Sequence, residues 1–191
     1  MKPIVLASSS PRRRQLLEWA EIPFEVVVKE TDESFPAGLN MPEIPVHIAR
    51  NKALAVAPRF TDRTIIAADT IVVLGERIIG KPRDRNDALE ILMSLSGCTH
   101  QVITGVVILH DGAETSFADV TEVDFHVLTA AQVEFYIDKY KPYDKAGAYA
   151  IQEWIGVIGI RAVRGDFYNV MGLPVSRVVQ ALDAITASGP A

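Results

Sequence analysis

The sequence lacks cysteine pairs, an excess of positive charge and long hydrophobic runs. Cys98 is the one cysteine in 191 residues, so no intramolecular disulfide can form, and without clustered histidines a zinc site is not expected. No apolar run approaches membrane-spanning length, and the N-terminal run at residues 1–6 is too short for a signal peptide. We therefore expect a soluble cytoplasmic protein without membrane contact, in which Cys98 fills a small space in the core.

The charge balance of the chain is acidic. Nineteen Lys and Arg stand against 24 Asp and Glu, for a formal net charge of −5. Proteins that bind nucleic-acid polymers normally present a positive surface, so that class is disfavoured. An anionic small molecule is still compatible with this charge as a ligand, because a local basic cleft can exist on an acidic protein.

The length and the ordinary globular composition predict one domain over residues 1–191.

The stretch at residues 65–74 is the centre of the sequence. It is almost entirely apolar and rich in β-branched residues, which is typical of a strand buried on both faces. Asp69 and Thr70 interrupt it. A buried carboxylate is costly unless it is paired, hydrogen-bonded or bound to a metal. Two interpretations stay open: Asp69 meets a cation or opens onto a wet cleft, or it is a structural aspartate satisfied by a neighbouring loop.

A second candidate site follows the first predicted strand, at residues 3–7. Ser10 is a good N-cap and Pro11 a good first helical residue, so a helix should run from here to about Ala20. The basic residues at 12–14 lie in its first turn, where free N–H groups and the helix dipole favour an anion such as phosphate. The alternative is a solvated basic turn.

Two further candidates follow in the chain. The strand predicted at residues 24–28 ends in an acidic cluster, in which Glu33 is either part of a solvated turn or a ligand for a hard cation such as Mg²⁺. A loop at residues 38–45 precedes a helix at 46–57, which carries Lys52. A lysine on a helix is usually solvated, so Lys52 is a candidate only if this helix reaches the site.

The last two candidates lie beyond the central strand. A two-residue turn at 75–76 predicts a hairpin that brings Lys81 back towards Asp69, as its counter-charge and as a phosphate ligand. Residues 144–152 are rich in small side chains and end in Gln152, whose amide can read donors and acceptors on a base. The alternative for this stretch is a tight loop between a helix and a strand.

Caps and periodicity predict the remaining elements. Strand 117–128 alternates, with Val123, Phe125 and Val127 expected inward and Glu122, Asp124 and His126 outward. The other elements are a helix capped by Asp84 or Asn86 and stopped by Gly97, a strand at 102–110, a helix with a capping box at Thr129, a hairpin of 155–163 with 166–170, and a helix beginning near Pro174, with a fraying tail after Ser188. Because hairpins are included, these elements indicate an α/β fold with a central mixed sheet flanked by helices.

Seven stretches carry a resemblance to a known family. They are LASSSPRR at 6–13, ADT at 68–70, GKP at 80–82, LSG at 95–97, TEV at 121–123, DKAGAYAIQ at 144–152 and VMGLP at 170–174. In this order they resemble the Maf family of nucleoside triphosphate pyrophosphatases, historically called septum formation inhibitors. The stretch ending in Gln152 is similar to the branch acting on dTTP and UTP. Glu153 and Trp154 depart from the pattern, in which a glycine is expected.

The resemblance implies a Maf/ITPase-like fold, elongated and two-lobed with a deep cleft, and it assigns roles to individual residues. Asp69 would be the proton acceptor, and Lys81 would assist catalysis. The substrate-binding positions would be Ser8, Arg12, Arg13, Lys52, Thr70 and Gln152, with Arg12, Thr70 and Gln152 setting specificity. Glu33 and Asp69 would hold Mg²⁺ or Mn²⁺.

The implied activity is hydrolysis of dTTP, UTP and modified pyrimidine analogues at the α–β phosphoanhydride, which gives the monophosphate and pyrophosphate. It would be linked to cell-division arrest and to cleaning of the nucleotide pool. The implied partner is the small-molecule nucleotide, with a homodimer as an open alternative to a monomer. Two other functions stay open: a pyrophosphatase acting on a modified purine triphosphate, and a non-catalytic regulator of septum formation.

Overall fold

A mixed β-sheet forms the centre of the structure, a computed structural model that describes residues 3–187. Its seven strands are β1 (Ile4–Leu6), β2 (Phe24–Val26), β3 (Ile65–Leu74), β4 (Arg77–Ile79), β5 (Thr99–His110), β6 (Ala113–Phe125) and β7 (Ile160–Arg164). The strand order is β2-β1-β3-β5-β6-β7, and β4 pairs with β3. β1 is parallel to β2 and β3, whereas β4 and β7 are antiparallel to their partners. The predicted mixed sheet is therefore confirmed.

Helices connect the strands. They are α1 (Pro11–Trp19), α2 (Glu43–Val56), α3 (Arg85–Leu95), α4 (Ala130–Tyr140), α5 (Trp154–Gly159), α6 (Phe167–Val170) and α7 (Val175–Ala187), with short 3-10 turns at Ala57–Arg59 and Ala146–Ala148. The predicted caps are confirmed: Ser10 caps α1, Asp84 caps α3, and Thr129 forms a capping box with Gln132 at α4. These caps satisfy N–H groups that a helix leaves unpaired at its start.

The chain forms two compact units. The first unit contains the chain up to Asp69, residues 104–119 and the chain from Gly172; the second unit contains Thr70–Ile103 and Val120–Met171. Strands β3, β5 and β6 contribute residues to both units. The single domain over residues 1–191, the two-lobed outline and the deep cleft stay predictions, and the predicted fraying after Ser188 lies outside the described residues.

Helix α2 covers the core of the first unit. Its residues Ala49, Ala53 and Val56 pack with residues of β1, β3 and β5. At Gly105 in β5 the contact is so close that a Cβ atom would lie 2.2 Å from the Val46 nitrogen. α2 begins at Glu43, three residues before the predicted start, because a proline in the first turn gives up an N–H that would be unpaired there anyway.

The predicted last hairpin is wrong. Residues 154–159 form α5, only Ile160–Arg164 is a strand, and residues 167–170 form α6, which Asp166 caps through the Tyr168 N–H. The strand pairs with β6 instead of with the segment after Gly165. The short apolar run at 154–159 gives no periodicity that separates a strand from a buried helix.

The end of β6 also differs from the predicted alternation. The strand stops at Phe125, so Val127 is 83% exposed and Leu128 takes the buried place. Asp124, expected outward, is buried because Arg164 and Thr99 hydrogen-bond to it.

Cys98, in the turn before β5, is half-buried. No helix of the described residues is long and apolar enough to cross a membrane.

Candidate functional site

Two carboxylates of the first unit share one cation. Lys52 on α2 places its Nζ 2.7 Å from Asp69 Oδ1 and 2.7 Å from Glu33 Oε1. The Asp69 side chain is 14% exposed, whereas that of Glu33 is 55% exposed. Of the two interpretations of Asp69, the structure favours the paired carboxylate, and its counter-charge is Lys52 rather than Lys81. Lys52 lies on the same face of α2 as the buried residues Ile48 and Val56, so helical periodicity turns its side chain towards the sheet and Asp69.

Arg13 lies buried beside this cluster. Its guanidinium donates to the Gly172 carbonyl at 2.7 Å, to the Ala68 carbonyl at 2.8 Å and to Ser8 Oγ at 3.1 Å. Burial lowers the pKa of Arg13, and the charge of Arg12 lowers it further, while Asp69 and Glu33 act in the opposite direction. Arg13 therefore ties the loop after β1 to the strand that carries Asp69 and sets a positive charge close to both acids.

The remaining candidates near this cluster are Ser8 in the loop after β1, Arg12 in α1 and Thr70 in β3. Ser8 is buried, and its Oγ also accepts the Ser10 N–H at 3.2 Å. Arg12 is half-buried in the first turn of the helix. Thr70 follows Asp69 directly in β3, is half-buried, and is the first residue of the second unit. The structure thus brings Ser8, Arg13, Glu33, Lys52 and Asp69 into one connected group.

The loop with Lys81 and the small-residue stretch contact each other in the second unit. Lys81 is exposed and follows β4. The carbonyl of Gly80 accepts the Gly147 N–H at 3.1 Å. Gly147 has φ +72° and packs against Val72, where an added Cβ would lie 3.1 Å from a methyl group. Such a close approach with positive φ explains why a glycine stands there.

Tyr149 anchors the same stretch in the core. Its hydroxyl lies 2.7 Å from His100 Nε2, and its ring packs edge-on against His100 and Phe125. Burial lowers the pKa of His100 to about 4, and it raises the pKa of Tyr149. The sequence reasoning missed His100, because a single histidine in a strand gives no signal of its partner.

Gln152 faces an apolar groove of about 300 Å³. The other lining residues are Ile151, Gly156, Val157, Ile160, Val163 and Phe167. Gln152 itself is exposed. An apolar groove with a single side-chain amide suits a flat heterocycle that carries few polar groups.

Three residues beside Gln152 form a polar cluster that the sequence reasoning missed. Tyr136 was predicted only as part of the apolar face of α4, but its hydroxyl bonds to the Glu153 carboxylate and accepts the Ala150 N–H at 3.2 Å. Lys145 Nζ lies 3.7 Å from Glu153 Oε1 and 2.7 Å from Asp144 Oδ1. The available signal was Glu153, the departure from the family pattern.

Comparison with known proteins first assigns the fold. The structure of the Staphylococcus aureus Ham1 protein matches with a TM-score of 0.51 and 16% identity, covering 95% of this chain and 98% of that one. This is an α/β protein with the Ham1 fold. The family model described as Maf-like protein matches residues 3–185, and the chain belongs to the Maf family.

Relatives of similar length carry a specific name. A protein of Cytophaga hutchinsonii is 49% identical over 94% of this chain and 83% of its own length. A protein of Parabacteroides distasonis is 50% identical over 94% of both chains, and one of Halalkalibacterium halodurans is 47% identical over 95% of both. Each is named dTTP/UTP pyrophosphatase.

Proposed function

We propose that this chain hydrolyses dTTP and UTP to the nucleoside monophosphate and pyrophosphate. The observation that carries the proposal is the group in which Asp69 and Glu33 meet Lys52 beside the buried Arg13. Acids and cations at one place are what hydrolysis of a phosphoanhydride needs, namely a base for water and positive charge for the phosphates. The names of the relatives support the same reaction and the pyrimidine substrates.

Asp69 is the proposed proton acceptor. A water oxygen bonds to phosphorus at the α–β phosphoanhydride, its proton passes to a carboxylate oxygen of Asp69, and the anhydride P–O bond breaks so that pyrophosphate leaves. Lys52 holds the carboxylate in place, because it is bound to both acids at 2.7 Å. Arg13 contributes a fixed positive charge that stabilises the negative charge growing on the phosphate oxygens. Lys81, in the loop after β4, would also stabilise this negative charge.

A divalent cation, Mg²⁺ or Mn²⁺, fits the acids of this group. One oxygen each of Glu33 and Asp69 contacts the same nitrogen, so the two carboxylates are close enough to share one cation. The described residues contain no group of three or more His, Cys, Asp or Glu that could hold a metal. The pair of Glu33 and Asp69 suits Mg²⁺, which is commonly bound by one or two carboxylates together with substrate phosphates. When bound, the ion would neutralise phosphate charge and activate water.

Substrate recognition is assigned to the remaining residues. Ser8, Arg13 and Lys52 would hold the triphosphate with Arg12, while Thr70 and Gln152 would select the base together with Arg12. Gln152 is suited to this because it is the side-chain amide of an otherwise apolar groove. A uracil or thymine offers a carbonyl next to a ring N–H, which matches the donor and acceptor of an amide.

A nucleotide panel with pyrophosphate detection tests the proposal. We expect dTTP and UTP to be cleaved well ahead of dCTP, CTP and the purine triphosphates, and only with Mg²⁺ or Mn²⁺ present. A preference for a modified purine triphosphate would replace the substrate assignment. No cleavage of any nucleotide with either metal would contradict the proposal and favour a non-catalytic regulator of septum formation.

The setting of the reaction follows from its substrate. Nucleoside triphosphates are cytoplasmic metabolites, so the cytoplasm is the proposed location, with removal of unwanted nucleotides and an effect on cell division as proposed consequences. The proposed assembly is a monomer or a homodimer, which light scattering distinguishes.

A further inference from the structure

We infer that Tyr136, Glu153 and Lys145 are positioning residues for Gln152, and that they set how strictly the protein discriminates between pyrimidine bases. The inference rests on the proposed function, in which Gln152 reads the base. Gln152 lies in a turn whose flanking residues Ala150 and Glu153 both bond to the Tyr136 hydroxyl. A single buried side chain therefore holds both sides of the turn.

The hydroxyl of Tyr136 acts both as donor and as acceptor in this arrangement. It accepts the Ala150 N–H at 3.2 Å and donates to the Glu153 carboxylate. The Tyr136 side chain is completely buried in the second unit, so its hydroxyl has a fixed position. Hydrogen bonds to an ionised partner are shorter and stronger than those between neutral groups. The Glu153 carboxylate is such a partner for the Tyr136 hydroxyl, so this bond holds the turn firmly.

Lys145 also helps to hold Glu153 in place, through its positive charge. It is only 8% exposed, and a buried ammonium is stable only next to a carboxylate. Its two carboxylates, Asp144 at 2.7 Å and Glu153 at 3.7 Å, stand before and after the stretch that carries Gln152. The Lys145–Glu153 pair therefore links the two ends of the stretch, and Asp144, the chain neighbour of Lys145, holds the ammonium in place.

Main-chain contacts also hold the turn that carries Gln152. The carbonyl oxygen of Ile151 lies so close to Gly156 that an added Cβ would be 1.8 Å from it. The Glu153 N–H donates to the Ala150 carbonyl at 3.1 Å, and the Glu153 carbonyl accepts the Gly156 N–H at 2.9 Å. The main chain on both sides of Gln152 is thus held by short contacts within the second unit.

Rigidity of this turn matters because the Gln152 amide is ambiguous. Cytosine presents a donor and an acceptor in the order opposite to uracil or thymine, and an amide that rotates can follow either order. A binding group must be held close to its productive geometry to reject the wrong partner. A fixed turn limits the positions that the Gln152 amide can reach when a base covers it, so that cytosine leaves polar groups of the complex unpaired.

The test compares two substrates in each variant. In Tyr136→Phe we expect the ratio of kcat/KM for dTTP to that for dCTP to fall at least tenfold, about 1.4 kcal/mol, while kcat for dTTP changes less than threefold. The ratio does not depend on the folded fraction, because both substrates meet the same preparation. Tyr140→Phe is the matched control: it removes a hydroxyl from the ring that stacks on Tyr136, and the ratio should stay that of the wild type.

Two further comparisons separate positioning from general loss of structure. Glu153→Gln keeps an acceptor for the Tyr136 hydroxyl and should retain most of the discrimination that Glu153→Ala loses. In a Gln152→Ala background, Tyr136→Phe should leave the ratio unchanged, because its effect passes through Gln152.

The outcomes are distinct. A wild-type protein without preference for dTTP overturns the proposed function, and the inference with it. A wild type that discriminates while Tyr136→Phe keeps the same ratio overturns only the inference. Equal falls of the ratio with and without Gln152 also overturn it, because Tyr136 would then act by another route.

Discussion

Lowering the pH should weaken the fold through His100. This histidine is 1% exposed, its Nε2 is taken by the Tyr149 hydroxyl, and its Nδ1 has no hydrogen-bond partner among residues 3–187. A protonated ring would carry a buried charge and a second N–H in need of an acceptor. Burial therefore lowers the pKa of His100 from 6.5 to about 4, against a weaker opposite effect of the Asp124 charge.

The direction and the size of this change in the free energy of unfolding follow from proton linkage. Between pH 6.5 and about 4 the unfolded chain binds a proton at His100 that the folded chain does not, so acid favours unfolding there. The stabilisation is complete above pH 6.5, and from pH 7 to pH 5 about 2 kcal/mol of the free energy of unfolding should be lost. The pKa of Asp124 lies at about 2, so the stability it contributes is lost only as the pH falls below about 3.8, outside this window.

Urea unfolding at a series of pH values measures this effect. The wild type includes every other titrating group, so the quantity of interest is the difference in pH slope between wild type and His100→Gln. The variant should lose the slope of about 2 kcal/mol between pH 7 and pH 5, whatever its absolute stability. His126→Gln, at an exposed histidine, is the control and should keep the wild-type slope. Equal slopes in the wild type and in His100→Gln would refute the reasoning.

Three further substitutions test the site and the fold. Asp69→Asn should lower kcat by two to four powers of ten while the melting temperature stays near that of the wild type, since Lys52 keeps Glu33 as a partner; near-normal turnover would exclude Asp69 as the base. Lys81→Ala should lower kcat as well as raise KM, because phosphate charge grows in the transition state, and a change in KM alone would limit Lys81 to substrate binding. Gly105→Ala should cost about 1–3 kcal/mol of folding free energy by forcing α2 away from the sheet, whereas Gly80→Ala, where a Cβ meets nothing within 4 Å, should cost much less in the same urea titration.

Local elements of the fold were readable from the sequence. The caps at Ser10 and Asp84 and the box at Thr129 act within three residues, and the glycine turn after β3 joins adjacent strands. Such signals depend only on neighbouring residues, so they predict helix starts and hairpins directly. The predictions failed where packing between distant elements decides, as at residues 154–170, where a run of apolar residues became a helix.

Candidate residues of the site were likewise visible, but their partners were not. The cost of a charge inside an apolar strand singles out Asp69 from sequence alone. That Lys52 rather than Lys81 pairs with it depends on how α2 packs on the sheet, which no local pattern encodes.

The cluster around Gln152 shows the same difference between what the sequence indicates and what packing decides. The helical pattern of α4 correctly predicts that Tyr136 is buried, because burial follows from periodicity. Its hydroxyl meets Ala150 and Glu153 only because α4 lies against the turn before α5. The sequence by itself determined the buried face of a regular helix such as α4 and the residues that carry charge. Tertiary packing decided which side chains meet, since contacts between distant segments depend on the whole fold.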